Sequence, residues 1–125
     1  GDLPGARDAL QASLKLDPHQ FAARLSLGRV YLSLNDSKAA EVQFEEAVLL
    51  QPGSSEAQID LAKALIRQKK FADVVDLLEP IADSSSSGAE MFELLAEAYT
   101  GLGRGQDAQR VQSQAKALQK SKRPQ

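Results

Sequence analysis

The chain has 125 residues, enough for one compact domain or a short repeat array. With 15 basic and 17 acidic residues the formal net charge is −2, which leaves no basic footprint for nucleic acid, and the lack of cysteine removes disulfides and thiolate metal sites. Hydrophobic residues make up 42%, sufficient for a continuous core, yet the longest apolar runs, such as 47–50, fall far short of the ~18 residues that span a bilayer, so no membrane insertion is expected.

Apolar spacing at three and four residues predicts seven helices and no strand. The first, over 3–16, carries an apolar stripe of Ala6, Leu10 and Leu14. Asp17-Pro18-His19-Gln20 then offers a capping carboxylate, a proline at the first helical position and a glutamine three residues on, ahead of a helix over 20–34. Helices follow over 37–50 and, after Pro52 and Gly53, over 55–68. The fifth, over 71–83, contains Pro80, which removes one backbone hydrogen bond and should kink its last turn. The serine-rich stretch 83–88 keeps the spacing of the elements around it and is therefore expected to be an inter-repeat turn, with Ser87 and Glu90 as a capping box for a helix over 88–101. Gly101 and Gly103 mark the next turn, and a polar helix over 105–120 precedes a frayed tail at 121–125 whose Lys122 and Arg123 are solubilising.

The elements recur. Leu16-Asp17-Pro18 and Leu50-Gln51-Pro52 lie 34 residues apart, and a frame ending two residues after each proline starts full repeats at Phe21, Ser55 and Ala89. Column seven of that frame holds Leu27, Leu61 and Leu95, and column eight the small Gly28, Ala62 and Ala96. Column eleven holds the large Tyr31, Leu65 and Tyr99. Column twenty holds Ala6, Ala40, Val74 and Ala108; column twenty-four holds Leu10, Phe44 and Leu78, then fails at Gln112. Columns seven, eight and eleven share one helix face; small residues at eight and twenty let two helices approach, and large ones at eleven and twenty-four fill between them. Gly28 should therefore touch the helix of Ala40 and Phe44.

With Leu27, Gly28, Tyr31, Ala40, Phe44, Ala47 and Pro52 in its best repeat, the chain resembles the tetratricopeptide repeat family over nearly its whole length. Arg24 departs from the pattern where the family often has tryptophan. The resemblance implies an all-α fold, a right-handed α-α superhelix, with a half repeat at 1–20, repeats at 21–54 and 55–88, and a last repeat at 89–120 closed by a polar capping helix. Residues 1–20 form only the second half of a repeat, so the chain is expected to be a fragment of a longer array. The unpartnered apolar stripe of the first helix should then fray or self-associate. The compartment is not determined by any residue pattern present.

Nothing in the sequence converges on catalysis. His19 is the single histidine and sits in a turn; Gly101, Gly103 and Gly105 follow a helix instead of a strand and so do not form a phosphate loop; Glu93 and Glu97, four apart, read as a solvated face. No cofactor or metal is expected. The function implied is a non-catalytic protein–protein interaction scaffold, such as an assembly or secretion adaptor, with a structural spacer or oligomerisation module and a regulatory segment of a larger enzyme as alternatives. In the family the usual peptide surface is the concave groove, which columns two, five, nine, twelve and thirteen would line. Here the groove candidates are Leu25, Arg29, Leu32, Ile59, Lys63, Ile66, Arg67, Glu90, Glu93 and Glu97. Either the apolar members pack against adjacent repeats and Lys63 pairs with Glu97, or the columns grip a segment mixing apolar and charged residues. A lysine–arginine–asparagine clamp for a C-terminal carboxylate is missing, since Asn35 is the single asparagine and lies in a turn.

Overall fold

The computed structural model describes residues 2–82 and 88–121. Seven helices follow one another: α1 (Leu3–Leu16), α2 (Phe21–Ser33), α3 (Ser37–Leu50), α4 (Ser55–Arg67), α5 (Phe71–Ala82), α6 (Ala89–Gly101) and α7 (Gly105–Ser121). There is no strand among the described residues. The chain divides into two compact units, Gly1–Ala64 and Leu65–Gln125, with the boundary inside α4. In the first, α2 packs on both α1 and α3; in the second, α6 packs on both α5 and α7.

Polar side chains start several helices by taking the backbone N–H groups that a first turn leaves unbonded. Asp2 accepts from Gly5 N at 3.0 Å, Asp36 from Ala39 N at 3.1 Å and Ser54 from Ala57 N at 3.2 Å. The expected cap at Asp17 is different. Asp17 closes the C-terminus of α1, its carboxylate accepts from His19 N, and α2 begins only after Gln20, which makes no side-chain cap. The Gln20 amide instead donates back to the carbonyls of Ser13 and Asp17, tying the turn to the helix before it. The capping box of Ser87 with Glu90, the turn at 83–87 and the tail beyond Ser121 lie outside the described residues; α6 starts from Gly88 without a side-chain cap, and α7 includes Ser121.

Three turns share one solution. Asn35, Lys69 and Gly103 all occupy column fifteen, and all have positive φ, at 63°, 60° and 75°. The next residue of each then donates its N–H to the carbonyl of column eleven: Asp36 to Tyr31 at 2.8 Å, Lys70 to Leu65 at 3.0 Å and Arg104 to Tyr99 at 2.8 Å. This is the left-handed closure that satisfies the last helical carbonyls, and it suits glycine or asparagine better than lysine.

The core follows the columns. Leu27, Ala40, Phe44 and Ala47 are buried in the first unit, and Val74, Leu78, Leu95, Ala96, Tyr99, Ala108 and Ala115 in the second. Leu14 of α1 is buried, while Ala6 and Leu10 are half-buried. A Cβ built on Gly28 would overlap the Phe44 ring, so the small residue at column eight is what lets that ring lie on the backbone of α2. Gly101 does not mark a turn as expected: it is the last residue of α6, and the Phe71 ring of α5 lies where its Cβ would be. In α7 the column-twenty-four failure is compensated one residue earlier, with Val111 buried and Gln112 exposed. Helix α5 continues through Pro80 to a buried Ala82.

Two substitutions test these contacts. Gly28→Leu should lower the unfolding free energy by about 1–3 kcal/mol through overpacking against Phe44, and unchanged stability would contradict the contact. Lys69→Gly should raise it by about 0.5–1 kcal/mol in urea denaturation, because a side chain no longer has to be held at positive φ.

Candidate partner-binding surfaces

The groove candidates divide by environment. Leu25 and Leu32 of α2 are 4% and 9% exposed and belong to the core of the first unit. Ile59, Lys63 and Ile66 of α4 are half-buried, and Arg67 is exposed. Glu90, Glu93 and Glu97 are exposed on α6.

Arg29 is exposed but occupied. Its Nε donates to Asp60 Oδ2 at 2.8 Å, and its Nη2 lies 2.7 Å from the same oxygen and 2.8 Å from Glu56 Oε1. One guanidinium thus holds two carboxylates of α4. Asp60 is 5% exposed, the one buried charged side chain of the described core. Burial pushes its carboxyl above the ordinary carboxylate range; the Arg29 hydrogen bond and charge, with the charge of Lys63, offset this without cancelling it. For Arg29, burial disfavours the charge, but the bonds to Glu56 and Asp60 outweigh it and the guanidinium is held more firmly protonated than usual.

Each unit carries an open cleft among its described residues. In the first unit, a cleft of about 450 Å³ lies between α1, α2 and α3, lined by Gln11, Leu14, Lys15, Arg24, Leu27, Tyr31 and Gln43. In the second, Glu93, Ala96, Glu97 and Thr100 of α6 face Gln112 of α7 across a cleft of about 340 Å³. The structure therefore brings Glu93 and Glu97 together in one site, while Glu90 does not line it. Gln119 of α7 donates to Glu93 Oε1 at 2.7 Å, and Thr100 Oγ1 donates to Ala96 O within α6. No set of three histidine, cysteine, aspartate or glutamate side chains able to hold a metal occurs among the described residues, and no helix among them is long and apolar enough to cross a membrane.

A family profile described as tetratricopeptide repeat matches residues 1–57. The whole fold is similar to solved structures of MamA. One, a crystal structure of MamA, is 24% identical, covers 94% of this chain and 69% of its own, and superposes with a TM-score of 0.88. A second, described as MamA MSR-1 C2, is 16% identical, covers 98% of this chain and 71% of its own, with a TM-score of 0.87. Over residues 1–57 the chain thus resembles the tetratricopeptide repeat family. Its fold is a helical solenoid. A comparison with curated proteins gives no match.

Within the 34-residue frame, several side chains have repeated roles. Arg24 and Gln58 both stand at column four, where the family often has tryptophan, and both donate to the carbonyl of the proline six residues earlier, Pro18 and Pro52. The tyrosines of column eleven reach the helix before them: Gln11 Nε2 donates to Tyr31 Oη at 2.6 Å, and Tyr99 Oη donates to Glu79. Both pairs are twenty residues apart, a spacing that was readable in the sequence. Burial raises the Tyr99 hydroxyl above its ordinary pKa and the Glu79 bond adds to this, against the nearby charges of Arg110 and Arg104; the Arg104 guanidinium stacks 4.7 Å from the Tyr99 ring centre. Asp60 had no such signal, because a single acid on a helix reads as solvated.

The Arg29 fork has a pH signature. The folded-state pKa of Asp60 lies above its unfolded value, so the folded state takes up this proton first and gains relative stability from it as pH falls through the folded value. Arg29→Leu removes the hydrogen-bonded counter-charge of the carboxylate and should cost about 2 kcal/mol at neutral pH, measured by urea denaturation. The cost should shrink on acidification toward the ordinary carboxylate range. A cost that stays constant or grows as pH falls would show that Asp60 does not depend on Arg29.

Proposed function

We propose that the chain is a non-catalytic interaction scaffold and that the Glu93–Glu97 cleft receives a basic residue of a protein or peptide partner. The supporting observation is a comparison of columns. Columns five, nine, twelve and twenty-four hold Leu25, Arg29, Leu32 and Phe44 in the first unit, where the three apolar residues are buried and Arg29 is bonded to α4. The same columns hold Glu93, Glu97, Thr100 and Gln112 in the second, where all four are exposed and line one cleft. Columns that carry three apolar residues in the first unit are thus polar and acidic in the second. The exposed Arg67 and Glu90 belong to the remaining groove columns and add charge for orientation. The tetratricopeptide fold, generally a protein-binding one, supports the non-catalytic reading. An oligomerisation module is the second reading, favoured by the 90% exposure of Leu16 on α1 and 74% of Leu49 on α3.

The probe is a fluorescent amphipathic peptide of alternating leucine and lysine. Its affinity in anisotropy titrations should fall about tenfold when Glu93 and Glu97 are both replaced by lysine, with the thermal midpoint nearly unchanged. Equal affinity would place the partner elsewhere. Concentration-dependent assembly abolished by Leu16→Glu with Leu49→Glu would favour the second reading.

A further inference from the structure

The cleft of the first unit has a counterpart in the second. Columns four, seven, eleven, twenty-three, twenty-five and twenty-eight bring Arg24, Leu27, Tyr31, Gln43, Gln11 and Leu14 together in the first. They bring Phe92, Leu95, Tyr99, Val111, Glu79 and Ala82 together in the second, where only about 30 Å³ is left. The difference in volume has two causes. Phe92, 6% exposed, fills its site, whereas Arg24 stays at the cleft wall with its guanidinium bonded to Pro18 O at 3.1 Å and to Gln43 Oε1 at 2.9 Å. Val111 is buried where Gln43 is only half-buried.

The chemistry differs in the same sense. In the second unit the column-eleven tyrosine donates to a carboxylate of its own chain, Glu79. In the first, the partner at that column is Gln11, whose amide donates to the tyrosine oxygen. The Tyr31 hydroxyl proton is then left to donate outward. Lys15 and Arg24 add cationic donors, no carboxylate lines the cleft, and neither residue forms an ion pair with a described residue. Leu14 and Leu27, 7% and 2% exposed, form an apolar floor.

We propose that this cleft between α1, α2 and α3 is a binding site for a partner segment that supplies from outside what Phe92 and Glu79 supply from within the second unit: an aromatic side chain on the Leu14–Leu27 floor and a carboxylate against Tyr31, Lys15 and Arg24. The site lies on columns other than those of the acidic cleft and is independent of it.

The test uses the full chain, labelled with nitrogen-15, and two capped peptides, acetyl-Phe-Ala-Glu-amide and its glutamine analogue. The glutamate peptide should shift amide resonances around Leu14, Leu27 and Tyr31 and bind about tenfold tighter than the glutamine peptide, the worth of one charge-assisted contact. Arg24→Phe, which copies the residue that closes the second unit, should abolish binding while keeping or raising the thermal midpoint. Lys15→Ala, on an exposed position, should weaken the glutamate peptide and leave the glutamine one unchanged. Glu93→Lys with Glu97→Lys should have no effect. No binding, equal binding of both peptides, shifts confined to other residues, or undiminished binding by Arg24→Phe would each overturn the proposal.

Discussion

The structure depends on aromatic rings laid directly on helix backbone. Phe44 of α3 occupies the space where a Cβ of Gly28 would stand, and Phe71 of α5 does the same at Gly101 of α6. Such a contact fixes how closely two helices approach, because neither a ring nor a backbone can yield without opening a void or a clash. Once the distance is set, the large residue of column seven has a defined gap to fill, and it does so in both units: Leu27 and Leu95 are buried, as is Tyr99 of column eleven, while Tyr31 stays half-buried. The left-handed turn at column fifteen then returns the chain at the end of α2, α4 and α6, with the same backbone bond to column eleven each time. Geometry set by packing and geometry set by hydrogen bonding therefore share column eleven as a common point.

What distinguishes one repeat from another is the polarity of residues that the repeat geometry leaves free. Column four is a tryptophan position in the family, yet here it holds Arg24, Gln58 and Phe92. The two polar residues bind a proline carbonyl and leave the core, while the phenylalanine enters it. A buried aromatic side chain contributes a large apolar area, so its absence at Arg24 is a local loss of packing that the hydrogen bonds to Pro18 and Gln43 only partly replace. Variation of this kind changes the surface without disturbing the helices, because the column-eight contact is untouched by it.

The helices and their columns were legible in the sequence because a period of 34 residues superposes weak local signals on one another. Their faces were less so. Periodicity says that Leu25, Arg29 and Leu32 share a stripe; whether that stripe meets solvent or protein depends on the neighbouring helix. The stripe turned out to be core at Leu25 and Leu32 and an ion pair at Arg29. At Glu93 and Glu97 the same columns proved exposed. Composition separated these cases more faithfully than position: apolar residues in the stripe were buried or half-buried, acidic ones were exposed. Gly101 was misread for a related reason, since glycine serves both turns and close approaches, and the partner ring, Phe71, is thirty residues away.

The Arg29 fork adds what apolar packing cannot. Leucine side chains such as Leu25 and Leu32 attract a neighbouring helix in many registers with similar energy, since dispersion and burial are not directional. A guanidinium whose nitrogens lie 2.7–2.8 Å from oxygens of Asp60 and Glu56 is directional. Sliding α4 by one turn, about 5.4 Å, would break all of these contacts together and leave the Asp60 carboxylate buried without a counter-charge. Burial raises the carboxyl of Asp60 above its ordinary range even with Arg29 in place, so the ion pair offsets only part of the cost of burying the charge. The pair also acts on the alternatives, since a shifted register would separate the Asp60 carboxylate from Arg29. In a fold assembled from helices with the same apolar columns, that penalty separates one register from the next where the columns alone do not.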